Sequence, residues 1–247
     1  MPQAYADRYD ALPQDLTPEN ASPPFAEEGK PKMQSRPYWP CQNTRPLTQE
    51  DWCRTLQHYW AACTFLDAQF GRVLSLLDEL EIADDTVVAF VADHGEMLGA
   101  HGNFDKGPYL YEDVVHIPFI IRDPARRRPI DTEAFVNLRD LFPTLIDLSG
   151  AHSALRPDEL ARSAWRTSHD ATFYCYDNYQ GRQFKIRGIR TARHKYNWSP
   201  HDLDELYDLE ADPGERTSLA GDPGCAGITE SLLARLHAWM AAEGDYL

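Results

Sequence analysis

The sequence lacks any apolar run long enough to cross a bilayer. No stretch of the 247 residues approaches the roughly 18 consecutive apolar residues that mark a transmembrane helix. Residues 1–7 also lack the apolar core of a secretory signal peptide. We therefore expect no membrane partner and a cytoplasmic location. A periplasmic or secreted location stays open if the true N-terminus lies elsewhere.

Basic residues are scarce relative to acidic ones. The chain has 24 Lys and Arg against 39 Asp and Glu, which gives a formal net charge of −15. Nucleic acids and anionic bilayers select basic surfaces, so no nucleic-acid partner is expected. The net charge does not exclude a local cationic pocket for a small anionic substrate.

Cysteines are few, and none is arranged for zinc or redox chemistry. The chain has five, at Cys41, Cys53, Cys63, Cys175 and Cys225. No two of them have the C-x-x-C spacing of a zinc knuckle or a redox motif. A protein with reduced thiols is the simplest interpretation, in line with the expected cytoplasmic location.

One apolar run ends in residues suited to chemistry. Residues 86–92 are mostly apolar without alternation, which predicts a strand buried on both faces and flanked by parallel neighbours. Asp93 and His94 follow at the strand's carboxyl end, where ligands bind in such sheets. A Gly-rich stretch then leads to Lys106 and could return its ammonium group to the same place. For an isolated Asp-His-Gly the alternative is a turn cap and a surface histidine.

The other elements are predicted from capping signals and periodicity. Residues 1–47 are rich in proline, and their aromatic residues favour a segment draped over the fold rather than a floppy leader. A capping box at 48–51 begins a helix at 49–81. Short strands are predicted at 117–122 and 132–137, followed by a helix that Asp140 caps and Gly150 ends.

The character of the chain changes after residue 151. Short segments rich in aromatic and β-branched residues predict an antiparallel sheet with a hairpin turn at 180–182 and a final strand beginning at Glu205. Apolar residues at helical spacing predict a closing helix at 227–243.

Several motifs occur in the order of one known family. In sequence letters they are ADHGEMLGAHG at 92–102, DKGP at 105–108, YED at 111–113, IPFIIR at 117–122, LFPTLIDLSG at 141–150, RGIRTARHKY at 187–196 and ELYDLEADPGE at 205–215. Together they resemble the sulfatase family of the alkaline phosphatase superfamily. The motifs keep their register over most of the chain, which makes the resemblance far more specific than any one of them.

The resemblance implies an α/β fold. We expect part of a parallel-sheet, alkaline-phosphatase-like sandwich, together with a small C-terminal antiparallel sheet that carries a packed helix. The corresponding division is a Pro-rich connecting segment at 1–47, the C-terminal part of the catalytic α/β domain at 48–150 and a small α+β subdomain at 151–247.

The resemblance also implies roles for four residues in a metal-dependent sulfuric ester hydrolase. Asp93 and His94 would ligate a divalent metal, with Ca²⁺ expected and Mg²⁺ or Mn²⁺ as alternatives. Lys106 would contact an ester oxygen and stabilise the charge that develops in the transition state. His101 is a weaker candidate for the proton donor to the leaving group.

The family's nucleophile motif is missing from this sequence. Relatives carry Cys/Ser-x-Pro-x-Arg, in which the cysteine is oxidised to formylglycine, but no such motif occurs among the 247 residues. The usual pair of N-terminal metal-binding aspartates also has no counterpart. We therefore expect a C-terminal fragment that is inactive alone and is completed by an N-terminal half.

Two other functions stay open at this stage. A phosphonate or phosphate monoester hydrolase shares the Asp-His pair and the lysine, and the residues that select the substrate would lie mostly in the missing half. The other possibility is a non-catalytic remnant that binds a partner chain or forms a homo-oligomer through its incomplete sheet.

Overall fold

The computed structural model describes residues 2–10, 29–35, 48–126, 133–154, 156–160, 162–164, 166, 169–179 and 182–247. Its helices are α1 (Gln3–Ala6), α2 (Gln49–Glu79), α3 (Glu112–Val115), α4 (Leu138–Ser149), α5 (Pro157–Leu160) and α6 (Ala226–Glu243). Its strands are β1 (Val88–Val91), β2 (Phe119–Arg122), β3 (Ala171–Tyr179), β4 (Arg182–Thr191), β5 (His194–Trp198) and β6 (Glu205–Asp208).

The long helix α2 begins as its capping box predicts. The Thr48 side chain accepts a hydrogen bond from the Asp51 amide, and the Asp51 carboxylate accepts one from the Thr48 amide. Two amides that the first turn would leave without partners are thereby satisfied. The predicted helix is confirmed, and it ends two residues earlier than expected.

β1 and β2 form a two-stranded sheet in antiparallel register, with Val88 opposite Arg122 and Val91 opposite Phe119. The short strand predicted at 117–122 is confirmed. The parallel neighbours predicted for 86–92 are wrong within the described residues. A parallel pair needs a crossover connection, usually a long helix, whereas residues 92–118 hold only the four-residue α3.

The segment before α4 differs from its prediction. Instead of a strand at 132–137, the described part makes a single bridge between Phe135 and His169. The N-cap of α4 is Asn137 rather than Asp140, whose carboxylate reaches back to the Asn137 amide as the third residue of a capping box. Gly150 ends the helix in the left-handed conformation, as predicted.

The C-terminal sheet has the order β3-β4-β5-β6 and is antiparallel throughout. This confirms the predicted antiparallel sheet, although two of the three residues of the predicted turn lie outside the described residues. Helix α6 packs its buried face, Leu232, Leu236 and Met240, against one side of the sheet. The predicted closing helix is therefore confirmed.

The described pieces of residues 1–47 contact the rest of the fold. The Tyr5 ring meets Phe65 of α2 edge-on at 5.3 Å between centroids. Lys30 donates a hydrogen bond of 2.7 Å to the Tyr207 hydroxyl in β6. These contacts agree with a draped segment; the remainder of that segment lies outside the described residues.

The structure also describes the lengths of the helices and the state of most of the cysteines. Of the helices that the structure describes, none is both long and apolar enough for a membrane span. The four described cysteines, Cys53, Cys63, Cys175 and Cys225, form no disulfide with one another. The fifth, Cys41, lies outside the described residues.

Candidate active site

The turn after β1 is held against helix α3. The Gly95 amide donates to the Val114 carbonyl at 2.7 Å, and the Glu96 amide donates to the Asp113 carbonyl at 3.0 Å. A Cβ atom on Gly95 would lie 2.0 Å from the Asp113 carbonyl oxygen, so a side chain has no room there. This close approach fixes the backbone directly after Asp93 and His94.

A single carboxylate folds the following loop back on itself. Glu96 Oε1 accepts hydrogen bonds from the Leu98 amide at 3.2 Å and from the Asp105 amide at 2.5 Å. These two bonds join the beginning and the end of the loop, so that Lys106 returns to the carboxyl end of β1. The expected return of the lysine therefore has a local cause.

Asp93, His94 and Lys106 lie together, as the sequence predicts. Lys106 Nζ lies 2.8 Å from His94 Nε2, and His94 Nε2 lies 3.5 Å from Asp93 Oδ2. His94 Nδ1 is 2.7 Å from the Gly95 carbonyl oxygen, to which it donates. Nε2 then keeps its lone pair and accepts from the lysine ammonium. The Asp93 side chain is 84% exposed, and its carboxylate is accessible to a ligand.

His101 occupies a different environment. Its side chain is buried and stacks on the Tyr111 ring at 3.8 Å between centroids. It is not among the residues that line the cleft beside Lys106. The structure thus gives His101 a packing role in the loop, and its proposed role as a proton donor stays a prediction without geometric support.

The three grouped residues line an open cleft of about 1050 Å³. One wall is the loop after β1 together with α3, and another is the segment 133–138. Strands β3 and β4 supply a further wall through residues that include Thr172, Tyr174 and Arg190. The volume of the cleft is at the upper end of the range for small-molecule sites. It is far larger than a sulfate group needs.

A buried ionic network connects the cleft to the C-terminal sheet. Lys195 is fully buried, with Nζ 3.1 Å from Glu112 Oε1 and 2.9 Å from Glu215 Oε1. Glu215 also accepts a hydrogen bond of 2.5 Å from the Glu112 amide at the start of α3. Because α3 holds the turn at Gly95, the network supports the position of the site from the opposite side.

The two acids of this network have opposite pKa shifts. Burial alone would raise the pKa of Glu112, but Lys195 and Arg190 outweigh it and hold that pKa below its usual range. Burial dominates at Glu215 and raises its pKa, although Lys195 opposes the shift. Glu112 is therefore the carboxylate whose charge the network favours.

The sequence interpretation gave no role to these residues. All four residues lie in motifs that resemble the sulfatases, namely Glu112, Arg190, Lys195 and Glu215. Membership of those motifs was the only feature of the sequence that pointed to them. The contacts of Lys195 and Glu215 with Glu112 join residues 83 and 103 positions apart, which spacing along the chain does not reveal.

Within the described residues, no three His, Cys, Asp or Glu side chains are grouped as metal ligands. Asp93 and His94 supply one carboxylate and one imidazole, which suit a divalent cation chemically but fall well short of the six to eight oxygens that Ca²⁺ takes. The donors present fit part of a metal site and need ligands from other residues.

Comparisons with known proteins agree with the motifs. A sulfatase family profile matches residues 1–151, and a profile for the C-terminal part of N-sulphoglucosamine sulphohydrolase matches residues 99–242. The chain is 30% identical over 235 residues to choline-sulfatase of Rhizobium meliloti, covering 93% of this chain and 45% of that protein. It is also 30% identical over 198 residues to N-acetylglucosamine-6-O-sulfatase of Bacteroides thetaiotaomicron, covering 74% and 35%.

The fold comparison gives the same result. The structure is similar to phosphonate monoester hydrolase of Agrobacterium radiobacter, with a TM-score of 0.67 and 28% identity over 79% of this chain and 43% of that chain. The mixed α/β architecture is thus the alkaline-phosphatase-like fold predicted from the motifs. The chain spans less than half the length of the relatives and the structure it matches. By sequence profile and by fold, the chain belongs to the sulfatase family.

Proposed function

We propose that this chain supplies the Asp93, His94 and Lys106 part of the active site of a sulfuric ester hydrolase. The observation that carries the proposal is the contact of Lys106 with His94 beside Asp93 in a large open cleft. The reaction cleaves a sulfate ester with water and releases an alcohol and sulfate. The fixed ammonium of Lys106 binds an ester oxygen and stabilises the charge that develops there.

Asp93 and His94 would hold a divalent cation together with ligands from another part of the assembly. When bound, such a cation supplies Lewis-acid stabilisation of the ester oxygens and activation of a nucleophile. A hard cation such as Ca²⁺ suits the Asp93 carboxylate, whose exposure leaves it accessible.

The nucleophile comes from outside these 247 residues. The sequence has no Cys/Ser-x-Pro-x-Arg motif, and positioning by a lysine leaves most of the barrier to ester cleavage in place. A complementary N-terminal half, in which formylglycine is expected, is the proposed source. This agrees with the chain spanning less than half the length of its relatives.

An apolar surface on this chain suits such a partner. Large apolar side chains are exposed along α2, namely Leu66, Phe70, Val73, Leu74 and Leu76. A monomeric protein rarely leaves so many of them together in water. We propose that the complementary half packs against this surface, called here the α2 surface.

A second reaction has one observation in its favour. The solved structure of a phosphonate monoester hydrolase matches this fold at 28% identity. Phosphonate and phosphate monoesters resemble sulfate esters in their non-bridging oxygens, and Lys106 would stabilise their charge in the same way. The relative rates on sulfate and phosphate esters decide between the two.

The test combines the chain with an N-terminal half that carries the nucleophile motif. Turnover of p-nitrophenyl sulfate and p-nitrophenyl phosphate is measured with each part alone and with both. We expect activity only with both parts, and a loss of about 10²- to 10³-fold in Lys106→Ala because the lysine's charge acts mainly on the transition state.

Lys32→Ala is the matched control, since Lys32 is an exposed lysine outside the cleft. It should leave the rate unchanged. Suppose that the 247-residue chain alone turns over either ester and that Asp93→Ala abolishes this turnover. That result would show that the chain contains a nucleophile which the proposal does not identify. Full activity of Lys106→Ala in the completed enzyme would contradict the proposed role of the lysine.

A further inference from the structure

Two polar side chains of the C-terminal sheet line the cleft as direct neighbours. Thr172 of β3 and Arg190 of β4 are opposite each other in the antiparallel register. The adjacent residues Ala171 and Phe173 pack against helix α6 on the other face of the sheet. Because side chains alternate along a strand, Thr172 faces away from α6 and towards the cleft.

The Thr172 hydroxyl lacks a partner within the described part of the chain. The residue is 8% exposed, and its Oγ1 atom is buried without a hydrogen bond. A buried hydroxyl in that state is costly, and native proteins contain few of them. Thr172 lines the cleft, and its hydroxyl recovers this cost where a ligand group comes close enough to accept from it.

Arg190 is held with its guanidinium in a fixed direction. Nη1 donates to the carbonyl oxygens of Thr191 at 2.5 Å and Ala192 at 3.2 Å. The guanidinium lies over the Phe135 ring at 5.1 Å from the centroid. These contacts hold the group at the cleft wall before any ligand arrives, which reduces the entropy lost on binding.

The acids of this wall already have cationic partners. Glu112 lies 3.6 Å from Arg190 and 3.1 Å from Lys195, so the two cations share its negative charge. Asp177 pairs with Arg187 at 2.9 Å and with Lys185 at 3.2 Å. A further lining acid, Glu133, is exposed, so water and salt screen its charge. Part of the positive charge of Arg190 is therefore available to a ligand.

We infer that Thr172 and Arg190 form a subsite for an anionic oxygen group, such as a carboxylate or a second sulfate, on the alcohol part of the substrate. Thr172 donates one hydrogen bond and Arg190 supplies charge. The role of the subsite in binding the substrate rests on the proposed function, whereas anion binding by the subsite itself does not. The cleft volume of about 1050 Å³ accommodates an ester with two anionic groups.

The test titrates the full chain with benzoate and follows backbone amide shifts by NMR. Benzyl alcohol is the neutral control of the same size. We expect saturable shifts at 172 and 190 with benzoate and none with benzyl alcohol. Thr172→Val should weaken benzoate binding about tenfold, since a hydrogen bond to a charged group is lost. Thr172→Ser retains the hydroxyl and should bind like the wild type.

Thr172→Val is a clean variant because valine has nearly the shape of threonine and the hydroxyl has no described partner to lose. Its melting temperature should equal or exceed that of the wild type. Arg190→Gln, which removes the charge, should abolish saturable binding. Benzoate affinity that is unchanged in Thr172→Val, or shifts without saturation in the wild type, would overturn the subsite.

A parallel titration with phenyl sulfate separates this inference from the proposed function. Its binding should weaken in Lys106→Ala and stay unchanged in Thr172→Val. Phenyl sulfate binding that is unchanged in Lys106→Ala would count against the proposed function alone. Benzoate binding that depends on Lys106 instead of Thr172 would overturn the subsite alone.

Discussion

His94 holds the residues of the candidate site together through its two different ring nitrogens. Nδ1 donates to the Gly95 carbonyl oxygen, and Nε2 accepts from the Lys106 ammonium. A cation that binds Asp93 and His94 must therefore displace the lysine from Nε2 and then tolerate its positive charge nearby. The lysine is a competitor for the same lone pair.

Divalent-cation binding by this chain should accordingly be weak. We expect a Ca²⁺ affinity in the millimolar range or weaker, because two donors are far fewer than the ion takes. Asp93→Ala should abolish the binding and Lys106→Met should strengthen it. Calorimetric titration measures the Ca²⁺ affinity of the wild type, Asp93→Ala and Lys106→Met, with Asp84→Ala as the control at an exposed acid. Micromolar binding, or binding that Asp93→Ala leaves unchanged, would refute this.

Two glycines of this chain should respond oppositely to alanine. Gly95→Ala places a Cβ 2.0 Å from the Asp113 carbonyl oxygen, so we expect a loss of about 1–3 kcal/mol in the free energy of unfolding. Gly71 lies inside α2 with nothing within 4 Å of the added atom. Gly71→Ala should stabilise the chain by about 1 kcal/mol. Chemical denaturation of both variants is the measurement, and equal effects would contradict it.

Single residues were predictable where the signal was local. Asp93 and His94 follow a recognisable apolar run, and a Gly-rich stretch indicated that Lys106 could return to them. Thr172 and Arg190 had no such signal, because strand pairing brings them together. The sequence also could not show that His101 would be buried against Tyr111.

At the scale of elements, helices were predicted better than strand partners. Capping boxes and periodicity are contained within a few residues, which is why α2 and α6 appear where expected. An apolar run specifies a strand but not the direction of its neighbour, so the parallel pairing of 86–92 was wrong. Residues 133–137 make a single bridge, from Phe135 to His169, and a contact with so distant a residue has no local signal in the sequence.

Helix α4 is tied to the segment that follows α5 by one ion pair with a marked pH dependence. Arg166 donates to both carboxylate oxygens of Asp147, at 2.6 and 2.8 Å. These hydrogen bonds lower the pKa of Asp147 to about 2. The folded pKa is below the unfolded value of about 3.9, so the stabilisation is present above pH 4 and is lost as the pH falls towards 2.

Arg166→Met should therefore lower the stability at neutral pH, with a difference from wild type that shrinks between pH 4 and pH 2. Arg54→Met is the control, because Arg54 and Glu50 form a largely exposed pair that contributes little. Thermal unfolding across this pH range provides the comparison. A difference that does not change with pH would assign the effect to packing instead.

At the scale of the whole molecule, the α2 surface is a group of apolar side chains whose exposure to water is unfavourable. Phe70 and Val73 are 46% and 56% exposed on a 31-residue helix. If a complementary half covers this surface, Phe70→Glu and Val73→Glu should weaken its binding at least about tenfold through the cost of burying a charge. Leu203→Glu, at an exposed leucine outside α2, should not.

Analytical ultracentrifugation of the mixed halves measures this association. Unchanged association in both α2 variants would place the partner elsewhere. Self-association of the chain alone that the same variants remove would instead favour a homo-oligomer, the other arrangement that the sequence left open. The division of the chain into three parts, with boundaries after residues 47 and 150, stays a prediction.

The buried Lys195 network has a consequence for the order in which the molecule can form during translation. Glu112 leaves the ribosome 83 residues before Lys195 and 103 residues before Glu215. Until those partners emerge, Glu112 has neither the Lys195 ammonium beside its carboxylate nor the Glu215 carboxylate to accept from its amide. Nascent chains stalled just after 195 should thus expose the turn at Gly95 to proteolysis, and chains released after 215 should protect it. The turn at Gly95 is therefore made well before the residues that fix it in place.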